Sequence, residues 1–254
     1  MTQRILVATF IASAALLTVR PVVHAQSEPV RVLLSNGFRA VYEELAPACE
    51  RSIKKSVTVT SGTSTSLIEQ VNKGEAFDVV IMTTEAMETL GKSGKIAART
   101  PLGRSGIGIG TRAGAKKPDI ANAEALKKTF LAAKAITYAG DGASRPHIDR
   151  MMGTLGIGDV MAKKTLLEQG SVRAATRVAT GDAELLITLV SEILPAPGVE
   201  LVGPLPTQFQ NYVSFAGAAA AKSDNAAAGK ALISCLSGPN VAATLKAKGM
   251  QKGS

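Results

Sequence analysis

A loop and the start of the helix after it, 141-DGASRPHIDRMM-152, carry the residues of this chain best suited to acid/base and anion chemistry. Arg145 stands beside Ser144, and His147 follows two residues later. A guanidinium offers paired N–H donors that match a carboxylate, and an imidazole can exchange a proton near neutral pH. Arg145 is therefore predicted to bind a carboxylate, the alternative being a plain surface arginine. His147 is either a general acid/base or an ordinary residue in the first turn of a helix.

Four loops that follow predicted strands are rich in hydroxyl groups and glycine, and most of them open a helix. They are 35-SNG-37, 61-SGTSTS-66, 83-TTE-85 and 141-DGASR-145. A helix N-terminus offers free backbone N–H groups and the positive end of its dipole, which suits an anion. One such loop would be an ordinary N-cap, but four in equivalent places predict an anion-binding cleft. The candidate ligand-binding residues are Ser35, Asn36, Thr63, Ser64, Thr84, Ser144 and Arg145.

The periodicity of apolar residues predicts an α/β fold. Between residues 30 and 94, short β-branched runs alternate three times with helical periods, which indicates a parallel sheet covered by helices. The alternating stretch 105-SGIGIGT-111 is predicted to cross to a second β/α set, and 212-YVSFAGAAA-220 to return from it. In that second set, the sequence predicts a helix over 159-DVMAKKTLLEQ-169 and a Pro/Gly-rich connection over 194–206.

The two crossings divide the chain into two lobes with a ligand cleft between them. The first lobe is predicted to comprise residues 27–105 plus 207–254, and the second residues 106–206. Ligands of open α/β sheets bind outside the carboxyl ends of the strands, where the four hydroxyl-rich loops are expected.

The N-terminal segment, residues 1–25, is predicted to be a cleaved signal peptide. Arg4 precedes the apolar run 5-ILVATFIASAALL-17, and 23-VHA-25 has the small residues of a cleavage site. A membrane anchor is the alternative, but Arg20 follows too soon for a span of about 20 apolar residues. The protein is therefore expected in a periplasm. There, Cys49 and Cys235 are either joined in a disulfide or buried as free thiols.

The charge of the chain is basic, with 29 Lys and Arg against 20 Asp and Glu. Binding of nucleic acid is not expected, because the lysines are scattered in pairs and only 4% of the residues are aromatic. A moderate positive field suits a protein that collects small anions. The sequence has no Cys/His cluster, Walker loop or Gly-x-Ser-x-Gly motif, so neither a metal nor another cofactor is predicted.

In the order and spacing of its motifs, the chain resembles the type II periplasmic solute-binding proteins, and among them the molybdate-binding family of ABC importers. The resemblance runs from 31-RVLLSNGFRAVYEELAPACE-50 through 69-EQVNKGEAFDVVIMT-83 and 177-RVATGDAELLIT-188 to 236-LSGPNVAATLKAKGM-250. It implies a two-lobed fold of type II and ligand contacts from Ser35, Ser64 and the loop 143–145. It also implies a monomeric protein that could deliver its ligand to an importer permease.

Two departures from that family favour an organic di- or tricarboxylate over molybdate. Arg145 stands in a loop where the family binds its oxyanion with hydroxyl and backbone N–H groups, and Leu189 stands where molybdate binders commonly have a tyrosine. The favoured function is capture of such an anion. The alternative comes from a small group of aconitate isomerases that resemble the same family, in which His147 would be the acid/base. The sequence does not decide between a binding protein and an enzyme.

Overall fold

The computed structural model describes residues 28–253, so the predicted signal peptide lies outside the described residues. The strands are β1 (Val30–Ser35), β2 (Val57–Gly62), β3 (Val79–Thr83), β4 (Thr100–Arg112), β5 (Ile136–Ala139), β6 (Thr165–Glu168), β7 (Leu185–Leu189), β8 (Val199–Pro204), β9 (Tyr212–Ala219) and β10 (Met250–Gln251). The α-helices are α1 (Asn36–Ile53), α2 (Ser64–Asn72), α3 (Thr84–Lys92), α4 (Ala123–Ala132), α5 (Arg145–Thr154), α6 (Gly158–Ala162), α7 (Ser171–Thr180), α8 (Val190–Ile193), α9 (Ala226–Leu236) and α10 (Ala242–Ala247).

The first group of strands pairs as β2–β1–β3–β9, with β1, β2 and β3 parallel and β9 antiparallel to β3. The helices after β2 and β3 begin where a threonine hydroxyl accepts from a backbone N–H: Thr63 caps α2 and Thr83 caps α3. Strand β3 is fully buried, as its unbroken apolar run predicts. The hydroxyl-rich loops therefore lie together at the carboxyl end of a parallel sheet.

Strand β4 connects the two halves of the molecule. Its first residues, 100–106, pair with β9, and its last residues, 107–112, pair with β7 and β8. The change of partners falls between Gly106 and Ile107, next to the predicted lobe boundary. The chain returns through residues 205–211, which form no strand. The predicted α/β class is confirmed, and the lobe bounds stay a prediction.

The second group of strands pairs as β7–β5–β6, all parallel, with β7 antiparallel to β4. Two predictions were wrong here. Residues 159–169 are not one helix, because α6 ends at Ala162 and β6 follows. Leu166 and Leu167 continue the apolar period of a helix in sequence, but both are exposed on an edge strand paired with β5. The stretch 194–206 is also more than a connection, since it contains β8.

One hydrophobic core extends through both groups of strands and includes Phe38, Ile107, Phe130 and Phe215. At its edge, a disulfide joins Cys49 in α1 to Cys235 in α9, which answers the question that the sequence left open. In the described part of the chain, α-helices fall short of the length and apolarity that crossing a membrane demands.

Candidate ligand pocket

A small pocket lies where the two groups of strands meet, and we call it the interlobe pocket. Its cavity volume is about 20 Å³, little more than the room of one water molecule, so the two groups of strands lie close together here. A larger ligand would therefore need them to move apart. The pocket is lined by Ser35, Gly37, Thr63, Ser64, Thr83, Ala139, Gly142, Ala143, Ser144, Ser171, Thr188, Leu189, Glu192 and Phe215.

One side of the pocket is formed by the N-termini of helices. Ser35 and Ser144 are the N-cap residues of α1 and α5, and neither hydroxyl bonds the amides of its own helix. Ser64 and Ser171 are the first residues of α2 and α7. All four serines are buried. Four helix N-termini give the pocket a positive potential and neutral donors, which suit an anion.

The hydroxyl groups of the first lobe are connected to one another. Ser64 Oγ donates to Ser35 Oγ at 3.2 Å and accepts from the N–H of Thr83 at 3.1 Å. This chain fixes the two serines relative to the end of β3. The hydroxyls can therefore meet a ligand from defined positions.

Two large apolar side chains, Leu189 and Phe215, also line the pocket and form an apolar wall. Phe215 and Leu189 are buried and approach the start of α1 so closely that a Cβ atom at Gly37 would lie 2.3 Å from Phe215 Cζ and 3.0 Å from Leu189 Cδ1. Only glycine fits there. Ser191 Oγ also donates to the Gly37 carbonyl at 2.8 Å, joining α8 to the first turn of α1. The wall suits a ligand with a carbon skeleton.

Glu192 is the one ionisable side chain among the pocket-lining residues in the described chain. Ser171 Oγ donates to Glu192 Oε1 at 2.8 Å, and Thr188 Oγ1 donates to Oε2. Burial raises the pKa of the Glu192 carboxyl above its usual value, and the negative charge of Asp141 acts in the same direction. The two hydroxyl contacts oppose this shift without cancelling it. The pocket therefore contains one oriented carboxyl group that holds a proton more readily than an exposed glutamate.

A hydrogen bond between the two lobes lies beside the pocket. Thr63 Oγ1 in the first lobe donates to Asp141 Oδ2 in the second at 2.8 Å. Asp141 Oδ1 accepts from the N–H of Gly170, just before α7, at 2.8 Å. Asp141 thus ties the loop before α5 to the start of α7 and to the opposite lobe.

Of the residues predicted from sequence to bind a ligand, Ser35, Thr63, Ser64 and Ser144 line the interlobe pocket. Asn36 and Thr84 do not. Asn36 faces a neighbouring cavity between α1 and α7, and Thr84 Oγ1 donates to the carbonyl of Ser214.

Arg145 and His147 also lie outside the pocket lining. Arg145 Nη1 donates to the Gly140 carbonyl at 2.7 Å, and its Nε contacts Asp149 at 3.4 Å. His147 Nε2 lies 2.9 Å from Asn211 Nδ2, at the end of the returning connection. Burial, aided by the positive charge of Arg150, lowers the pKa of His147. The roles given to both residues stay predictions.

Sequence reasoning missed four polar residues of the pocket lining: Thr83 in the first lobe, and Ser171, Thr188 and Glu192 in the second. Ser171 follows the unrecognised strand β6 and a glycine with φ +83°, the same order of strand, loop and helix that identified the other serines. Recognition of β6 would have added this fifth loop. Nothing in the local sequence marks Glu192, which follows β7 by three residues.

Among the described residues, no three His, Cys, Asp or Glu side chains come together as metal ligands could. The chemistry that the described site offers is therefore that of donors, one carboxyl group and an apolar wall.

Known proteins resemble the chain over nearly its whole length. A family model for bacterial extracellular solute-binding proteins matches residues 30–251. An aconitate isomerase from Pseudomonas sp. is 31% identical over 253 residues, covering 96% of this chain and 94% of that protein. The periplasmic molybdate-binding protein of Azotobacter vinelandii superposes with a TM-score of 0.75 at 18% identity, over 89% of this chain and 100% of that one.

A sulfate-binding protein from Mycobacterium tuberculosis superposes with a TM-score of 0.67 at 19% identity, over 88% of this chain and 86% of that one. At such identities the solved structures show the fold alone. They confirm the two-lobed α/β fold expected from the resemblance.

Proposed function

The chain belongs to the bacterial extracellular solute-binding proteins, and from that premise we propose that it binds aconitate in the interlobe pocket and isomerises it between the cis and trans forms. The observation that carries the proposal is a pocket lined both by neutral anion donors and by the apolar side chains of Leu189 and Phe215. The whole-length similarity to an aconitate isomerase supports the same substrate. As a periplasmic enzyme, the protein would act as a monomer without a cofactor.

The polar and the apolar lining residues suit the two parts of an unsaturated tricarboxylate. Carboxylate oxygens accept hydrogen bonds from hydroxyl groups and from helix N-termini at Ser35, Ser64 and Ser144. The carbon skeleton lies against Leu189 and Phe215, which a bare oxyanion would leave without a partner. The preference for a carboxylate thus no longer depends on Arg145, whose guanidinium is engaged elsewhere.

Incubation of the purified protein with cis-aconitate tests the proposal. We expect trans-aconitate to accumulate toward the same ratio that is reached from the trans side, with chromatography following both isomers. Heat-denatured protein is the control. Failure to convert either isomer under conditions where the protein binds it would refute isomerisation.

A receptor for a small anion is the second candidate, and the lining favours it because its donors are neutral and shared among several helix N-termini. Such a protein would capture a di- or tricarboxylate in a periplasm and deliver it to an importer permease. Calorimetry with molybdate, sulfate, citrate and aconitate separates the candidates. Binding of citrate without any conversion of aconitate supports the receptor, and preferred binding of molybdate contradicts the carboxylate assignment.

A further inference from the structure

We propose that Glu192 is the acid/base of the interlobe pocket, taking a proton from one carbon of bound aconitate and returning it to another. This inference rests on the proposed isomerase function and assigns the residue that the function requires. It replaces His147, the candidate chosen from sequence.

Glu192 lies beside the residues that are proposed to bind the substrate. It lines the same pocket as Ser35, Ser64 and Ser144, so one small ligand can touch their donors and its carboxyl group together. Each carboxyl oxygen accepts from one hydroxyl, Oε1 from Ser171 and Oε2 from Thr188. These two contacts fix the plane of the carboxyl group.

Other titratable groups near the pocket are committed to structural contacts. His147 is paired with Asn211 at the returning connection and does not line the pocket. Asp141 does not line the pocket, and its carboxylate accepts from Thr63 and from Gly170, which joins the two lobes. Among the described residues, Glu192 remains as the lining group that can exchange a proton.

The proposed reaction is an allylic proton transfer that conserves atoms and charge. The Glu192 carboxylate takes a proton from the methylene carbon, the C–H electrons form the new double bond, and the old double bond delocalises into the neighbouring carboxylate. The carboxyl group then gives its proton to the former vinyl carbon, which becomes the new methylene. Helix N-termini at the pocket stabilise the charge that develops between the two steps.

The environment of Glu192 supports this role. Burial raises its pKa, so the ionised carboxyl is a stronger base than an exposed glutamate. Asp141 is the charged group that acts on it within the pocket region, and Arg39 and Glu43 of α1 face it across the neighbouring cavity.

Glu192→Gln tests the inference, because glutamine keeps the size of the side chain and can still bond both hydroxyls but cannot take a proton. We expect kcat for aconitate isomerisation to fall by about 100-fold or more, with the dissociation constant for trans-aconitate changed by less than about tenfold. Exchange of the methylene hydrogens with deuterium from D2O, read by NMR, should be lost in parallel. Glu200→Gln is the matched control, since Glu200 lies on β8, pairs with Lys117 and is exposed.

The outcomes separate the two proposals. If the unchanged protein isomerises aconitate and Glu192→Gln retains its kcat, the proposed function stands and Glu192 is not the base. If the unchanged protein binds aconitate without isomerising it, both proposals fail. If Glu192→Gln loses binding as well as turnover, Glu192 holds the substrate or the fold, and the assignment as a base is overturned.

Discussion

At the scale of single residues, the interlobe pocket depends on groups whose importance comes from their surroundings. Glu192 is one of 20 acidic residues in the chain, and its surroundings alone distinguish it. Arg145 and His147 are conspicuous in sequence, yet their side chains bond Gly140 and Asn211. Ser35 and Ser64 could be predicted, since their positions after strands and before helices are visible in the sequence. Glu192 could not be, because its burial results from packing between α7, α8 and β7.

Thr188→Val is predicted to shift the pH dependence of turnover. The Thr188 hydroxyl lowers the pKa of Glu192, so its removal should raise that pKa further. Because the carboxyl group must be ionised to accept the first proton, turnover rises as pH rises through the pKa. The acidic limb of the kcat profile should therefore move to higher pH in the variant. An unmoved limb would mean that the titrating group is not Glu192.

Arg145→Ala is predicted to weaken aconitate binding by less than about tenfold. In the structure, the guanidinium stabilises the loop before α5 by donating to the Gly140 carbonyl, and it does not line the pocket. Loss of a contact that acts only through the loop costs about 1 kcal/mol. Calorimetry measures the change. A loss of 100-fold that lysine does not restore would show instead that Arg145 binds the carboxylate directly.

At the scale of secondary structure, the strands with uninterrupted apolar runs were predictable and the short edge strands were not. Strand β3 is buried on both faces, and its composition alone indicates this. Strand β6 has four residues, and its parallel partner β5 lies 29 residues earlier in the register. No local sequence pattern indicates that pairing, and the stretch was therefore predicted to be a helix. The error also concealed the helix N-terminus at Ser171.

Gly37→Ala is predicted to destabilise the protein by about 1–3 kcal/mol, because the new methyl group would overlap the buried ring of Phe215. Gly91→Ala is the matched control on another helix, α3. Nothing lies within 4 Å of a Cβ atom there, and the change should stabilise the protein by about 0.5–1 kcal/mol. Urea unfolding of both variants measures the difference. Equal stabilities of the two variants would show that the Phe215 side chain moves aside at little cost in free energy.

At the scale of the whole molecule, two chain crossings at β4 and at residues 205–211 join the lobes. A single disulfide, Cys49–Cys235, encloses the whole of the second lobe within its 186-residue separation. Within α1, Cys49 is about 20 Å from the pocket end of the helix, at 1.5 Å per residue. The effect of the disulfide on stability should therefore be separable from any effect on ligand binding.

Replacement of both cysteines by alanine is predicted to lower the free energy of unfolding by about 2–5 kcal/mol. Affinity for aconitate should change by less than threefold, since the bond lies far from the ligand. Urea titration and calorimetry on the same preparation measure both quantities. A parallel loss of affinity would mean that the cross-link also sets the position of α1 at the pocket.

The central position of β9 determines when the first lobe can be completed during synthesis. Strand β9 pairs with β3 on one side and with β4 on the other. These two strands are therefore not joined in the sheet until Ala219 has been added to the growing chain. Pairing over so long a separation is slow, and for an exported chain the delay would favour passage through a narrow secretion channel before folding. A fragment ending at residue 211 should accordingly be digested throughout its first hundred residues under conditions in which the full chain resists protease.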